Sequence, residues 1–518
     1  MADALAQAKA GTPTSRRRPL ALASLCTILF LTFLDNTVVS VALASIQRDL
    51  LGGVSDLQWV VGAYALTFAS FMLAFGMLGD KFGRKKIMLA GAGVFCAGSV
   101  LAALAPNIGT LIAGRAVMGL GAAASEPGTL SMIRQIYPDE RSRNHALGVW
   151  VAVSGFSLAL GPVLGGALVG VWSWRGIFWF NLAFGLAALI VAAMVLPESA
   201  DPGAGRVDTP GLVLGAGALA ALIFGVINGE TAGYAAPSVL ALFAASLVAG
   251  AAFVLWERRA AFPLLDLSYL RVARFTTPNV VAYCAYFATF AIFFFTALYL
   301  GVIAGYSAYR VAGLFVPMTV LMIIAALLAG RWTTVLGARW LLVVGCLLYG
   351  GGLLLTNLAI NPSPSYLPLA AALGLAGVGI GTCVVPVTSS VLEAVPAERS
   401  GMAASATNTS REFGAVTGIA ILGAVVNAEL RHGLVSRLTH LGATQALQQY
   451  VLNVVETGSV ALATGGTPTG NSPIDQIVRA GFEAFTGALH DALYLSAALV
   501  LGAALLSAVT MRQRSSGT

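Results

Sequence analysis

Apolar runs of about twenty residues or more, separated by short polar breaks, fill most of the chain. A helix rises 1.5 Å per residue, so each run is long enough to cross a hydrocarbon layer of about 30 Å. Read this way, the pattern predicts fourteen helices, at about 19–46, 57–79, 86–105, 109–135, 144–170, 175–196, 211–229, 237–256, 275–303, 308–330, 339–358, 367–392, 400–427 and 485–510. An even number places both ends of the chain on one side. The expected fold class is an all-α polytopic membrane protein. Residues 1–18 and 511–518 read as tails, and 197–210, with Pro197, Pro202, Gly203 and Gly205, as a polar linker. Residues 428–484 are too long for an ordinary loop. Leu434, Leu438, Leu441 and Leu447 have helical spacing, and Gly465-Gly466-Thr467-Pro468 ends it, so one or two amphipathic surface helices are expected there.

Composition narrows the class further. The chain is 58% hydrophobic and 10% charged, with a mean hydropathy of +0.85, which excludes a soluble globular protein. The net charge of +7 serves topology rather than nucleic acid. With both termini in the cytoplasm, twenty-one of the 29 Lys and Arg fall on inner segments and six on outer ones. Arg115 and Arg411 lie within spans. This bias supports both orientation and span number. Cys26, Cys96, Cys284, Cys346 and Cys383 all lie in apolar runs without CxxC spacing and read as packing residues. No metal-site spacing, cofactor loop or nucleophile–base pair is visible, so neither cofactor nor enzyme is expected. Arg16-Arg17-Arg18 precede a run that continues as a full span, unlike a cleaved leader. Arg exceeds Lys, and Ala and Gly abound, as in a high-GC bacterial chain. The bacterial cytoplasmic membrane is the expected location.

The pattern also repeats. Gly330, Gly337 and Arg339 restate the spacing of Gly76, Gly83 and Lys85 at an offset of 254 residues, with Thr334 in place of Asp80. Gly377, Gly379 and Pro396-Ala397-Glu398-Arg399-Ser400 restate Gly119, Gly121 and Pro138-Asp139-Glu140-Arg141-Ser142 at an offset of 258. Two related six-helix halves follow, 19–196 and 275–510, with two helices inserted between them at 211–256.

Ionisable groups inside spans are costly and are functional candidates by default. Asp35 stands about two-thirds along the first helix, followed by Asn36. A carboxyl in a partly dry cavity can take and release a proton near neutrality; the alternative is a structural acid bonded to a neighbouring helix. Arg115, in helix 4, lies near the same depth and must meet a carboxylate, carbonyls or water, unless it snorkels to the outer surface. Glu126 lies deeper in that helix, before Pro127, and suggests a second protonatable site or a group for cationic substrates, with local structural bonding as the other reading. Asn408, Arg411 and Glu412 lie near mid-depth of helix 13 and can brace or contact substrate. Glu393, Asp491 and His145 lie near span ends, in reach of water. Tyr64, Phe287, Phe290, Phe294 and Tyr299 are candidates for an aromatic cavity wall, with core packing as the alternative.

Several of these stretches resemble one family. Gly76-Met77-Leu78-Gly79-Asp80-Lys81-Phe82-Gly83-Arg84-Lys85-Lys86 places one acid and four bases in seven residues and, with Leu89, is similar to the helix 2–3 loop signature of the major facilitator superfamily, G-x-L-a-D-r-x-G-r-k-x-x-l. Leu34-Asp35-Asn36-Thr37 resembles the helix 1 motif of its drug:proton antiporter branch. Gly114-Arg115 with Gly119 and Gly121 resembles the helix 4 motif, with Met118 where the family often has Gln. In helix 5, Gly148, Gly155, Gly161-Pro162-Val163-Leu164-Gly165-Gly166 supply small packing residues, and G-P-x-x-G-G resembles the antiporter motif. Trp174-Arg175-Gly176-Ile177-Phe178 through Asn181 resembles the start of helix 6 in the fourteen-helix drug exporters, and Arg411, Gly414 and Gly418 resemble their helix 13 pattern. The resemblance implies rocker-type alternating access, Asp35 as proton carrier with Arg115, a loop latch at Gly76, Asp80, Gly83, Arg84 and Lys85, and antiport of small drugs or antibiotics against protons by a monomer in the bilayer. It asks for no acid at Glu126. A transporter of one metabolite or self-made product is the rival expectation; a non-transporting receptor would need neither Asp35 nor Arg115.

Overall fold

A computed structural model describes residues 18–198, 208–260, 263, 266–361, 365–396, 400–440 and 473–511. Both tails, most of the 197–210 linker and residues 441–472 of the long outer segment lie outside the described residues. All regular structure among the described residues is helical. The helices are α1 Arg18–Val38, α2 Leu43–Leu50, α3 Val54–Phe82, α4 Arg84–Ala103, α5 Ile108–Ile136, α6 Glu140–Val171, α7 Arg175–Val195, α8 Thr209–Ala232, α9 Pro237–Glu257, α10 Ala273–Phe290, α11 Ala308–Ala359, α12 Tyr366–Glu393, α13 Ser400–His440 and α14 Pro473–Thr510. Their starts are marked chemically. Asn107, Asp139, Asp208 and Ser307 each accept a hydrogen bond from a backbone N–H of the first turn, which would otherwise be unpaired.

Among the described residues, eleven helices are long and apolar enough to cross a membrane, or twelve if the bent pair Gly148–Ser157 and Leu160–Val171 is one span. Element boundaries differ from the sequence pattern in four places. The first span is broken by a 3-10 turn at Ser40–Ala42, so that α1 and α2 together make the run Arg18–Leu50. The expected helices at 308–330 and 339–358 are both present within α11, but the connection between them shrinks to a turn at Gly337 (φ 77°), where the backbone leaves the helical conformation. Helix α13 continues to His440, and α14 begins at Pro473 rather than near 485. The first part of the 428–484 segment is therefore not a separate surface helix. Leu434 and Leu438 are buried, and Gly433 lies against Ala484 of α14, so the leucine spacing marks a core-facing extension of α13.

The repeat is visible in the packing. Gly83 (φ 116°) ends α3 as Gly337 breaks α11, and both conformations are ones that only glycine adopts freely. A Cβ on Gly119 would meet the Tyr64 carbonyl at 2.2 Å, and one on Gly377 the Met318 carbonyl at 2.3 Å. A Cβ on Gly121 would meet the Phe95 nitrogen at 2.3 Å, as one on Gly379 would meet that of Tyr349. Both partner pairs are 254 residues apart, so each half makes the same close helix crossings. Gly83→Ala is expected to destabilise the purified protein by roughly 1–3 kcal/mol through backbone strain. Gly155→Ala, where a Cβ meets nothing within 4 Å, should leave it unchanged or raise it by about 0.5–1 kcal/mol. Thermal unfolding in one detergent checks both; equal melting of Gly83→Ala and wild type would contradict the strain.

The halves meet along two seams, α3 against α13 and α6 against α11. On the second, a Cβ on Gly166 would lie 2.3 Å from that of Ala312, while Gly161 and Gly165 press on Thr37 and Val38 of α1. The inserted α8 covers the first seam. α9 turns Leu247 (75% exposed) and Val248 outward, as a lipid-facing helix does.

Candidate functional site

The site begins with a charge that an apolar helix cannot leave unpaired. Asp35, on α1, is wholly buried and forms an ion pair with Arg115 of α5. Its other oxygen accepts a hydrogen bond from Asn181 Nδ2 of α7 at 2.6 Å. Arg115 is likewise buried. Its Nε donates to the Val60 carbonyl of α3 at 2.9 Å, and its guanidinium lies 4.5 Å over the Tyr64 ring. Nη2 has no partner. Tyr64 in turn donates to the Thr32 carbonyl of α1 at 3.0 Å. Four helices of one half thus converge on one carboxylate and one guanidinium. Burying such a pair costs several kcal/mol of desolvation per ion, so a well-packed apolar pair could serve stability as well. Arg115 faces inward on Asp35 and does not snorkel.

A second cluster joins the two halves. Glu126 of α5 is buried, and its Oε1 accepts from Asn408 Nδ2 of α13 at 3.1 Å. Its Oε2 has no hydrogen-bond partner among the described residues. Glu412, one turn further along α13, is buried, hydrogen-bonds the Asn36 side chain of α1, and lies in electrostatic range of Glu126 and Arg411. Among the described residues its Oε2 is also without a hydrogen-bond partner, as is Asn36 Oδ1. Arg411 donates to Thr388 at 3.0 Å and to Asn408 at 3.4 Å, and lies 5.7 Å from the centre of the Tyr286 ring. The second cluster therefore holds two carboxyls for one guanidinium. Asn408 and Arg411 line a cavity of about 540 Å³ between the halves, with Trp150, Leu130 and Thr388 and with the exposed Glu393 at its mouth. Tyr64 stands in electrostatic range of both clusters.

The structure brings together Asp35 with Arg115, and Asn36, Glu126, Asn408, Arg411 and Glu412. It separates the rest. Phe287, Phe294 and Tyr299 belong to the buried core rather than to the cavity wall, and the Phe290 side chain lies outside the described residues. In the 76–86 stretch, where Gly83 alone separates α3 from α4, Lys85 donates to the Ala193 carbonyl of α7 at 2.7 Å. A Cβ on Gly83 would meet Glu198 at 2.7 Å, and Gly79 packs on Arg84. The Asp80 side chain lies outside the described residues. Asn181 is the partner that sequence reading left without a role. Its only signal was a place in the string that follows Trp174-Arg175. Those two form a separate clamp: both donate to Asp49, and Arg175 stacks 4.1 Å over Trp174.

Fold and site together define a polytopic helical membrane protein whose two repeated halves enclose buried charges. The family model described as Major Facilitator Superfamily matches residues 25–419, and this chain belongs to that family of transporters. The chain is 33% identical over 424 residues to the multidrug resistance protein Stp of Mycobacterium tuberculosis, covering 82% of this chain and 78% of Stp. It is 36% identical to the methylenomycin A resistance protein of Bacillus subtilis, over 76% of this chain and 84% of that one. It is 29% identical to the multidrug efflux pump LfrA of Mycolicibacterium smegmatis, over 97% and 99%. In fold it is similar to a bacterial homologue of the lysosomal transporter Spinster, crystallised inward-facing and occupied. The TM-score is 0.66 at 16% identity, covering 96% of this chain and 97% of that one.

Proposed function

We propose that this chain exports small, mostly apolar or cationic drugs or antibiotics across the bacterial cytoplasmic membrane in exchange for protons. The observation that carries this reading is the buried Asp35, held by Arg115 and Asn181 in a half that also builds one wall of the cavity. An acid placed there at such a cost has to serve something other than stability. The names of the relatives supply the class of cargo. Fourteen spans with both termini cytoplasmic fit the basic-residue bias, and the turn at Gly337 supports counting 308–330 and 339–358 as two of them.

The mechanism is alternating access. Proton and substrate bias the two states of one cavity in opposite directions, because each binds one state better. With Asp35 ionised, the pair with Arg115 is neutral overall and ties α1 to α5. A proton on Asp35 removes the charge that holds Arg115, so the contacts of α1, α5 and α7 rearrange. Gly161 and Gly165 let α6 lie directly on α1, so such a rearrangement passes to the α6–α11 seam. The 76–86 loop, with Asp80, Gly83, Arg84 and Lys85, latches the cytoplasmic ends of the first half.

Inverted membrane vesicles test this. An imposed pH gradient should drive ethidium uptake, and collapsing the gradient should abolish it. Uptake indifferent to the gradient would reduce the chain to a facilitative carrier. Asp80→Asn should slow turnover by several-fold with little change in ethidium affinity. An unchanged state distribution, read by labelling single cysteines in the cavity, would overturn the latch.

A further inference from the structure

Helix α1 belongs to the first half by its packing, which is on α5, α6 and α7. Its two consecutive polar residues nevertheless reach into different halves. Asp35 bonds Arg115 of α5 and Asn181 of α7, both in the first half. Asn36 bonds Glu412 of α13, in the second. Side chains one position apart on a helix diverge by about 100°, so a single turn of α1 serves both partners at once. Both residues are buried, Asn36 at 5% exposure.

An amide is a costly choice at this place. Asn36 Oδ1 has no hydrogen-bond partner among the described residues, so the side chain brings an unsatisfied acceptor into the core along with one used donor. The donor leads to the cavity. Arg411, beside Glu412, lines it together with Asn408, and Asn408 donates to Glu126 of α5 at 3.1 Å. Arg115 and Glu126 stand eleven residues apart on α5, about 17 Å along its axis, too far for a direct bond. The route through Asn36 and α13 joins the two clusters that α5 alone keeps apart.

Hydrogen bonds to an ionised acceptor are about twice as strong as those between neutral groups. The hold of Arg115 on Asp35 and that of Asn36 on Glu412 are therefore both firm when the acids are charged, and each weakens when its acid takes a proton. The titratable and charged groups that face Asp35 are Arg115 and Tyr64 of α3. Those that face Glu412 are Glu126, Arg411, Tyr64 and Tyr286 of α10. The turn that carries Asp35 and Asn36 lies near the end of the regular helix. α1 stops at Val38, and the 3-10 turn Ser40–Ala42 follows. Once Arg115 releases Asp35, a shift of this turn draws Asn36 away from Glu412.

We propose that Asn36 is a positioning residue that carries the protonation state of Asp35 to the second half, holding Glu412 of α13 while Asp35 holds Arg115. The α6–α11 seam passes movement between helices, whereas Asn36 passes it to the wall of the cavity. The proposal rests on the export reading only for taking Asp35 as the proton carrier. Its test reads the separation of the halves without gradient or cargo, so the two can fail separately.

The full chain in phosphatidylcholine nanodiscs carries nitroxide labels through His145→Cys of α6 and Val335→Cys of α11, two exposed positions at the cytoplasmic ends of the halves. The five native cysteines are buried and stay unlabelled. Double electron–electron resonance then gives the ratio of near to far separations at acid and at alkaline pH. That ratio should change with pH by about tenfold in the labelled parent and by less than about twofold in Asp35→Asn. Asn36→Leu, which keeps size and removes the donor, should lower the pH response to the level of Asp35→Asn. Added to Asp35→Asn, it should lower the response no further. Asn36→Gln, with the donor on a longer arm, should recover part of it. If Asn36 is only a brace, Asn36→Leu shifts the ratio equally at both pH values and leaves the pH response whole; that result overturns the proposal. So does a labelled parent that ignores pH. Where Asn36→Leu does not accumulate in the membrane, Glu412→Gln removes the charge at the other end of the bond and is held to the same outcomes. Ethidium uptake that ignores the gradient, beside a pH response that needs Asn36, would remove the export reading alone.

Discussion

Asp35→Asn is expected to bring proton-driven export to background while the protein remains in the membrane. Asn preserves the outline of Asp35 and can still accept from Asn181, which donates to it at 2.6 Å. It cannot ionise, so the cycle loses the group that exchanges a proton for a guanidinium contact. The substitution also leaves Arg115 uncompensated in a buried place, and breaking such a pair costs about 3–5 kcal/mol. Loss of export alone would therefore not separate coupling from folding. Dye counterflow in the absence of a gradient provides the separation. It needs the cavity and its two states but no net proton movement, and it should persist in Asp35→Asn at normal membrane levels. Asp35→Glu, which keeps the charge on a longer arm, should recover part of the driven export. Arg115→Lys should not, because an ammonium cannot bond Asp35 and the Val60 carbonyl together in the fixed geometry of the fork. Driven export by Asp35→Asn at the wild-type rate would remove Asp35 from the mechanism.

Asp35 and Arg115 were legible because a charge inside an apolar run is rare and expensive, and each announces itself without its partner. That the two meet follows from their similar depth on helices of one half. Asn181 was silent because a neutral amide is tolerated in many places and its value lies wholly in what it touches. The link from Asn408 to Glu126 spans 282 positions and crosses between halves, so no local pattern could carry it. The long runs gave helix existence well and helix ends poorly. Arg331 and Arg339 suggested a polar loop, but one glycine at positive φ makes the turn. Leu434 and Leu438 had amphipathic spacing, and spacing alone cannot say whether the apolar face meets lipid headgroups or another helix. The glycine repeat was the most informative signal beyond hydropathy. The matches at an offset near 254 carried into the same crossings, Gly119 on Tyr64 and Gly377 on Met318. A Cβ can be excluded from such a crossing only by its absence, which is why the spacing survives where Asp80 has become Thr334.

Glu126→Gln is expected to weaken export of cations and to spare neutral cargo. The argument is one of charge. Glu126 and Glu412 share a buried region with one guanidinium, Arg411, which donates to Asn408 and Thr388. If both acids ionise, the region carries a net negative charge with two unpaired oxygens, Glu126 Oε2 and Glu412 Oε2. A low-dielectric interior does not hold that state, so one positive charge must be present, either a proton or a substrate cation. Exchange of the two in one place is what antiport of a cation requires. Gln keeps the bond from Asn408 and removes the charge, so a cation loses one charge-assisted contact of about 1.5–3 kcal/mol, or roughly tenfold to a hundredfold in affinity. Ethidium export should fall by this order, and export of a neutral antibiotic by less than about twofold. Glu412→Gln should act in the same direction, and the double variant should cost less than the two singles combined, because the two acids share one neutralising charge. Equal losses for both cargo classes would assign Glu126 to proton transfer instead. An unchanged ethidium rate in the double variant would leave the two acids as braces tying α13 to α5 and α1, with Asn408 and Asn36 as their partners.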